Sequence, residues 1–210
     1  KVDTIYDLAS LTKPLVTGLL AANKIEREEL SLTRKVHTGV REFFPHANKE
    51  LNISHLATHT SGLPAWYPFY TVFFDPRHRP ESVLETILEL SKEASPDKKV
   101  VYSDLNFILL GFCISGLATP SEYDRFFQEE ISLPLDLSKT AFNPNYSLRK
   151  VIAASEKGNS YEKQICIEQG YLQQPVAAGG FGFRDYQIWG EVHDGNAFFM
   201  GGVAGHAGLF

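Results

Sequence analysis

The sequence predicts an α+β protein, helix-rich over its first 150 residues and built of loop and short strand after them. Three observations carry that reading. Apolar residues recur at helical spacing just after Ser10, an amphipathic stretch follows Pro80, and the chain beyond about residue 150 is rich in glycine and aromatics without such periodicity. DLASLTKPLVTGLLAANKI forms the first helix, with Leu11, Leu15, Leu19 and Leu20 as its apolar positions. Pro14 fits the first turn, where a missing N–H costs least. EELSLTRKV and the turn FFPHANKE make a surface connection into a second short helix around NISHLATHT. The aromatic loop SGLPAWYPFY follows, too heavily punctuated by Gly and Pro for regular helix. Pro80 opens the helix ESVLETILELSKEA, whose buried side is Val83, Leu84, Ile87, Leu88 and Leu90. A polar turn, SPDKK, and a short β-like run, KVVY, lead into the apolar helix LNFILLGFCISGLA. A further helix, SEYDRFFQEEI, gives way to the loop LPLDLSKTAFNPN. No segment repeats and none is of low complexity.

Composition narrows the function classes. At 210 residues the chain is long enough for a substantial core, and 43% apolar with 21% charged residues is ordinary for a globular protein. A net charge of −5, with no basic stripe interleaved with aromatics, argues against a nucleic-acid partner. Cys113 and Cys166 make neither a disulfide framework nor a metal quartet, and Cys113 reads as a small buried hydrophobe. No run of about 18 apolar residues is present, so no transmembrane helix is expected in this chain. The chain opens on KVDTIYDLAS and stops inside GGVAGHAGLF; both ends are expected to be cuts through a larger domain.

The sharpest chemical feature is Ser10-Leu11-Thr12-Lys13. A serine and a lysine three residues apart on a helix share a face. That brings an amine to a hydroxyl, which a serine nucleophile needs where no histidine serves as base. At a helix start, Ser10 also meets N–H groups and a dipole that favour negative charge. The same position suits a plain N-cap. Ser95/Lys98, Ser147/Lys150 and Ser160/Lys163 repeat the spacing in polar stretches and read as solvated. Tyr102-Ser103-Asp104 is a second candidate. A phenol moves protons near neutrality only beside a cation, a part Lys13 can fill; a core role for Tyr102 is the other reading. His59-Thr60-Ser61-Gly62-Leu63-Pro64 reads as a helix end capped by Gly62. His55 and His59 have i, i+4 metal spacing but lack a glutamate and a third ligand, so no metal is expected. His193-Asp194 is an adjacent acid–base pair on a loop, and no phosphate loop occurs.

DLASLTKPLVTGLL, LATHTSGLP, VVYSDLNFILLG and GGVAGHAGLF, in this order, resemble the penicillin-recognising serine hydrolases, nearest the class C β-lactamases, D-specific peptidases and related esterases. The resemblance implies a β-lactamase/transpeptidase-like fold, an antiparallel sheet flanked by helices with a helical subdomain. Residues 1–210 would then be part of one catalytic domain: 1–40 the nucleophile helix and its lead-in, 41–150 the mainly helical subdomain, and 151–210 loops and short strands returning toward the site. It implies Ser10 as the acylated nucleophile, Lys13 as the amine that takes its proton, and Tyr102 as the relay to leaving group and water. The Ser10 N–H would be one oxyanion donor, and HTSGLP a structural turn. No cofactor is implied; the partner is a small-molecule or peptidoglycan-like substrate. Family members are often found in the bacterial cell envelope.

Two departures from the family pattern matter. Asp104 stands where asparagine is usual, and an ionised carboxylate accepts but cannot donate. It either pairs with Lys13 or faces a donor on the substrate, and a small ester gains over a penicillin-like amide. The third motif, Lys-Thr-Gly or His-x-Gly, is met only partly, by Lys139-Thr140-Ala141 and by His206-Ala207-Gly208. His206 is expected to line the pocket, and the true third motif to lie outside the chain. The expected function is hydrolysis of an ester, a D-amino-acid amide or a β-lactam through an acyl-enzyme. The alternative is a penicillin-binding sensor or pseudoenzyme that is acylated, or binds, without turnover.

Overall fold

A computed structural model describes residues 2–40, 50–73, 79–116, 119–172 and 183–210. The segment carrying Ser10 is wound in three ways: a 3₁₀ turn (Ala9–Leu11), a π-helical stretch (Lys13–Gly18) and helix α1 (Leu19–Glu26). Pro14 sits in the first turn of the π-helical stretch, as its missing N–H requires. The buried face differs from the expected one. Leu11, Leu15 and Leu19 are 55%, 43% and 40% exposed, whereas Thr12, Lys13, Val16, Thr17, Leu20 and Ala21 turn inward. The inner face carries polar groups as well as Val16 and Leu20, so of the four leucines only Leu20 marks the buried side.

Short helices follow: α2 (Val36–Val40), α3 (Ile53–Ala57) and α4 (Phe69–Val72). Asn52 caps α3 and His55 completes the capping box, its Nδ1 accepting from the Asn52 N–H at 3.3 Å. The FFPHANKE turn lies outside the described residues except for Glu50. Helix α5 (Arg79–Glu89) buries Val83, Leu84 and Ile87 fully and Leu88 partly, as its pattern predicts. The KVVY run is not a strand; the Val101 N–H donates to the His59 carbonyl at 2.9 Å.

Helix α6 (Asp104–Ser115) is the axis of the molecule. Every residue from Leu105 to Ile114 is buried, so it is apolar all round rather than amphipathic. The segment carrying Ser10, α2, α3 and α5 all pack on it. Gly111 lets residue 205 approach: a Cβ on Gly205 would collide with the Phe107 carbonyl, and one on Gly111 would meet the Gly205 Cα at 3.3 Å. Helix α7 (Pro120–Phe127), capped by Thr119 and Glu122, runs into a second π-helical stretch (Gln128–Ser132).

Beyond residue 150 the structure corrects the expectation of loop and short strand. Helices α8 (Ser160–Glu168) and α9 (Gly195–Phe199) lie there. The Asp194 carboxylate caps α9, accepting from the Ala197 N–H at 2.7 Å. Among the described residues the β contacts are isolated bridges: Ile5 with Ile152, Lys35 with Asn52, Phe142 with Leu209 and Lys157 with Gln187. They tie the N-terminal segment to the 150s and the 142 loop to the end of the chain.

Candidate active site

The turn carrying Ser10 is braced from both sides. Asp7 accepts from the Ala9 N–H through one oxygen and from the His193 N–H through the other, each at 2.8 Å. Ala9 is held at φ 46°, a left-handed conformation that costs a residue with a side chain. Thr12 donates to the Ala9 carbonyl at 2.7 Å and accepts from the Leu209 N–H at 3.1 Å. Leu8 donates to the Leu209 carbonyl at 2.8 Å. The Ser10 turn is thereby sewn to residues nearly 200 positions away.

Lys13, 2% exposed, has three acceptors around its Nζ: Ser10 Oγ at 2.8 Å, Asp104 Oδ1 at 2.7 Å and the His206 carbonyl at 3.3 Å. An ammonium has three N–H donors, so the set is complete. Of the two roles open to Asp104, the structure shows the pairing with Lys13. The Tyr102 ring lies 4.9 Å from Nζ, a cation–π distance, and its side chain is 57% exposed. That corrects the core reading of Tyr102. Ser10, Lys13 and Tyr102 line one cavity of about 510 Å³ with His59 and Phe107. The other three Ser/Lys pairs are exposed, although Ser160 opens α8 and Ser147 lies on a 3₁₀ helix (Tyr146–Val151).

His59 was not legible as a site residue. Its φ of 58° turns the chain so that Nδ1 accepts from the Ser103 N–H at 3.1 Å and from Asn106 Nδ2 at 3.2 Å. Its ring packs 4.6 Å from that of Tyr102. Burial first, then the charge of Lys13, lowers its pKa and favours the neutral, accepting form. Ser103 donates to the Pro64 carbonyl at 2.5 Å, and the Asp104 N–H to the Ala65 carbonyl at 2.9 Å. The HTSGLP segment is thus the bed on which Tyr102-Ser103-Asp104 lies. Gly62 is not the cap of α3, which ends on Thr58; its φ of 79° and lack of Cβ let it pass the Ala94 carbonyl.

His206 is placed differently from expectation. Its side chain is fully buried, so it cannot line the pocket; what reaches the site is its carbonyl, on Lys13. Its Nε2 lies 3.0 Å from Asp194 Oδ1. Burial would raise the Asp194 pKa, but His206, the Ala197 N–H and Lys13 outweigh it and hold the carboxyl below its usual range. His193 and Asp194 do not pair with each other: His193 contacts Ser155 and Glu156. His55 contacts Asp97 rather than joining His59. Lys139 pairs with Asp3 on the surface. Among the described residues the donor atoms of Asp104, Asp194 and His206, within 4.8 Å of one another, are a set suited to a cation. Lys13 already lies on Asp104 there, and His206 on Asp194.

The chain matches the family model described as Beta-lactamase over residues 1–208. A protein of Escherichia coli K12 named "Putative D-alanyl-D-alanine carboxypeptidase" is 31% identical over 229 residues, covering 99% of this chain and 48% of that protein. A protein of the same name from Salmonella paratyphi A is 33% identical over 223 residues, with the same coverage. The chain therefore spans about half the length of these curated relatives. Among solved structures, FmtA from Staphylococcus aureus aligns with a TM-score of 0.62 at 17% identity, over 99% of this chain and 48% of FmtA. A class C beta-lactamase aligns at 0.62 and 18% identity, over 75% of this chain and 42% of its own. These two support the β-lactamase/transpeptidase-like fold.

Proposed function

The chain belongs to the Beta-lactamase family, and on that premise we propose that it carries the nucleophilic centre of a serine hydrolase that works through an acyl-enzyme. The observation that carries the reading is the 2.8 Å contact between Ser10 Oγ and the buried Lys13 Nζ, in a cavity shared with Tyr102. Ser10 Oγ attacks the substrate carbonyl. Lys13, having released one proton, takes the proton of Ser10. Tyr102, exposed and beside that nitrogen, passes a proton to the leaving group and takes one from the water that clears the ester. The Ser10 N–H stabilises the oxyanion, a donor worth about 3 kcal/mol of barrier. The relatives' name points to a peptide ending in a D-amino acid, within the peptidoglycan-like class, and the carboxylate at 104 adds small esters.

One observation favours the second reading, a sensor or pseudoenzyme that binds, or is acylated, without turnover. All three Lys13 donors are occupied, one by an ion pair, and a base needs a free lone pair. Intact-mass spectrometry after incubation with a β-lactam or with an activated short-chain ester decides between them, beside Ser10→Ala. Ester turnover that disappears in Ser10→Ala supports the hydrolase. A persistent Ser10-dependent adduct supports the sensor. Turnover unchanged in Ser10→Ala overturns both.

A further inference from the structure

A second cavity, of about 500 Å³, adjoins the first, and Tyr102 stands in the wall of both. Asp104 lies in its wall and places one oxygen on Lys13, with 19% of its side chain exposed. The rest of the wall is unusual in sign and character. Trp66, Tyr102, Tyr161 and Tyr171 supply aromatic surface, Glu162 and Glu93 join Asp104 as carboxyl groups, and among the described residues no lysine or arginine lines it. Glu162 is engaged from behind, accepting from Tyr70 Oη at 2.6 Å and from the Gly195 N–H at 3.1 Å. Glu93 pairs with Lys99 at 3.5 Å. Asp104 alone of the three joins this wall to the catalytic lysine.

We propose that this cavity is a subsite for a cationic amine carried on the acyl side of the substrate, with Asp104 as its counter-ion and the aromatic rings as its walls. The inference rests on the acyl-transfer reading of Ser10. An ammonium over Tyr and Trp faces gains from their quadrupoles, and a carboxylate at the end of such a slot fixes its position. A neutral or anionic group gains neither and meets repulsion or desolvation instead. The placement also joins recognition to chemistry. Asp104 is the ion-pair partner of Lys13 at rest, so a substrate ammonium competes with Lys13 for it. Lys13 that has lost its partner releases a proton to water and becomes free to take the proton of Ser10. A substrate lacking the amine leaves the resting pair intact. The residue that breaks the family pattern then becomes the one that selects the substrate.

The test compares two activated esters on the intact protein, 6-aminohexanoyl and its neutral isostere heptanoyl, with the ratio of kcat/KM as the readout. The expected ratio is about tenfold or more in favour of the amine. It should collapse to within about threefold in the isosteric Asp104→Asn, and fall part of the way in Tyr161→Ala, where the ring is exposed and its loss spares the core. A ratio near one in the unaltered protein, or one that persists in Asp104→Asn, overturns the proposal while leaving Ser10-dependent turnover intact. If neither ester is turned over, the acyl-transfer reading fails on its own. The subsite is then read by calorimetry on Ser10→Ala with 6-amino-N-methylhexanamide and its neutral isostere N-methylheptanamide, which carry or lack the amine on the acyl side. Selective binding of the amine that Asp104→Asn abolishes sustains it, and equal binding refutes it.

Discussion

At the scale of single residues, the site is governed by what surrounds one nitrogen. Lys13 Nζ meets a nucleophile, a carboxylate and a carbonyl, and Tyr102 completes its shell with a ring face. If the phenol carries protons, Tyr102→Phe should lower kcat by about 100-fold or more and leave the thermal midpoint unmoved. A loss below about threefold would reduce Tyr102 to packing. His59 makes a pH prediction. Its folded pKa lies below the usual 6.5, so between that lowered value and 6.5 the unfolded chain binds a proton that the folded chain refuses. Stability should therefore fall as the solution is acidified through that window, and His59→Gln should flatten the dependence. Urea denaturation at pH 7.5 and 5.5 gives the comparison, and equal slopes in both proteins would remove His59 from this role. Ser10, Lys13 and Tyr102 could be picked out as a candidate set because short motifs carry them, and the structure brings the three to one cavity. His59 could not, since its work is done on a backbone N–H 44 residues away.

At the scale of elements, close approach decides more than propensity. Gly205 passes the Phe107 carbonyl with no room for a methyl group, and Thr17 and Lys13 then reach the carbonyls of residues 205 and 206. Gly205→Ala should cost about 1–3 kcal/mol and reduce activity further than stability, because the carbonyl on Lys13 moves with the backbone. Denaturant midpoints and kcat on one preparation check this, and a neutral substitution would mean the backbone relaxes elsewhere. The sequence pattern located α5 and α7 by their apolar periodicity and α6 by its continuous apolar run. It missed α8, which buries little beyond Cys166, and α9, which has only five residues and is capped by Asp194 on the Ala197 N–H. In the first helix only Leu20 of the four leucines is buried, and polar Thr12, Lys13 and Thr17 turn inward beside it.

At the scale of the whole molecule, the two ends of the chain build one centre. Asp7 joins the turn before Ser10 to the loop at His193 through two N–H donors. Asp7→Ala should cost about 1–3 kcal/mol and lower kcat, since both the strained Ala9 and the approach of residue 193 depend on it. Hydrogen exchange should report the loss at Ala9 and His193 together; loss at one alone would show that the brace is not shared. No pattern in the sequence announces such a brace, because a carboxylate at position 7 carries no mark of a partner at position 193. The His206 carbonyl meets Lys13 across 193 residues of chain, with a further consequence during synthesis. Ser10 leaves the ribosome ahead of residue 206, and its lysine gains its last acceptor only when that residue has emerged. Until then the growing polypeptide holds Lys13 short of one of the three acceptors that surround it in the folded protein.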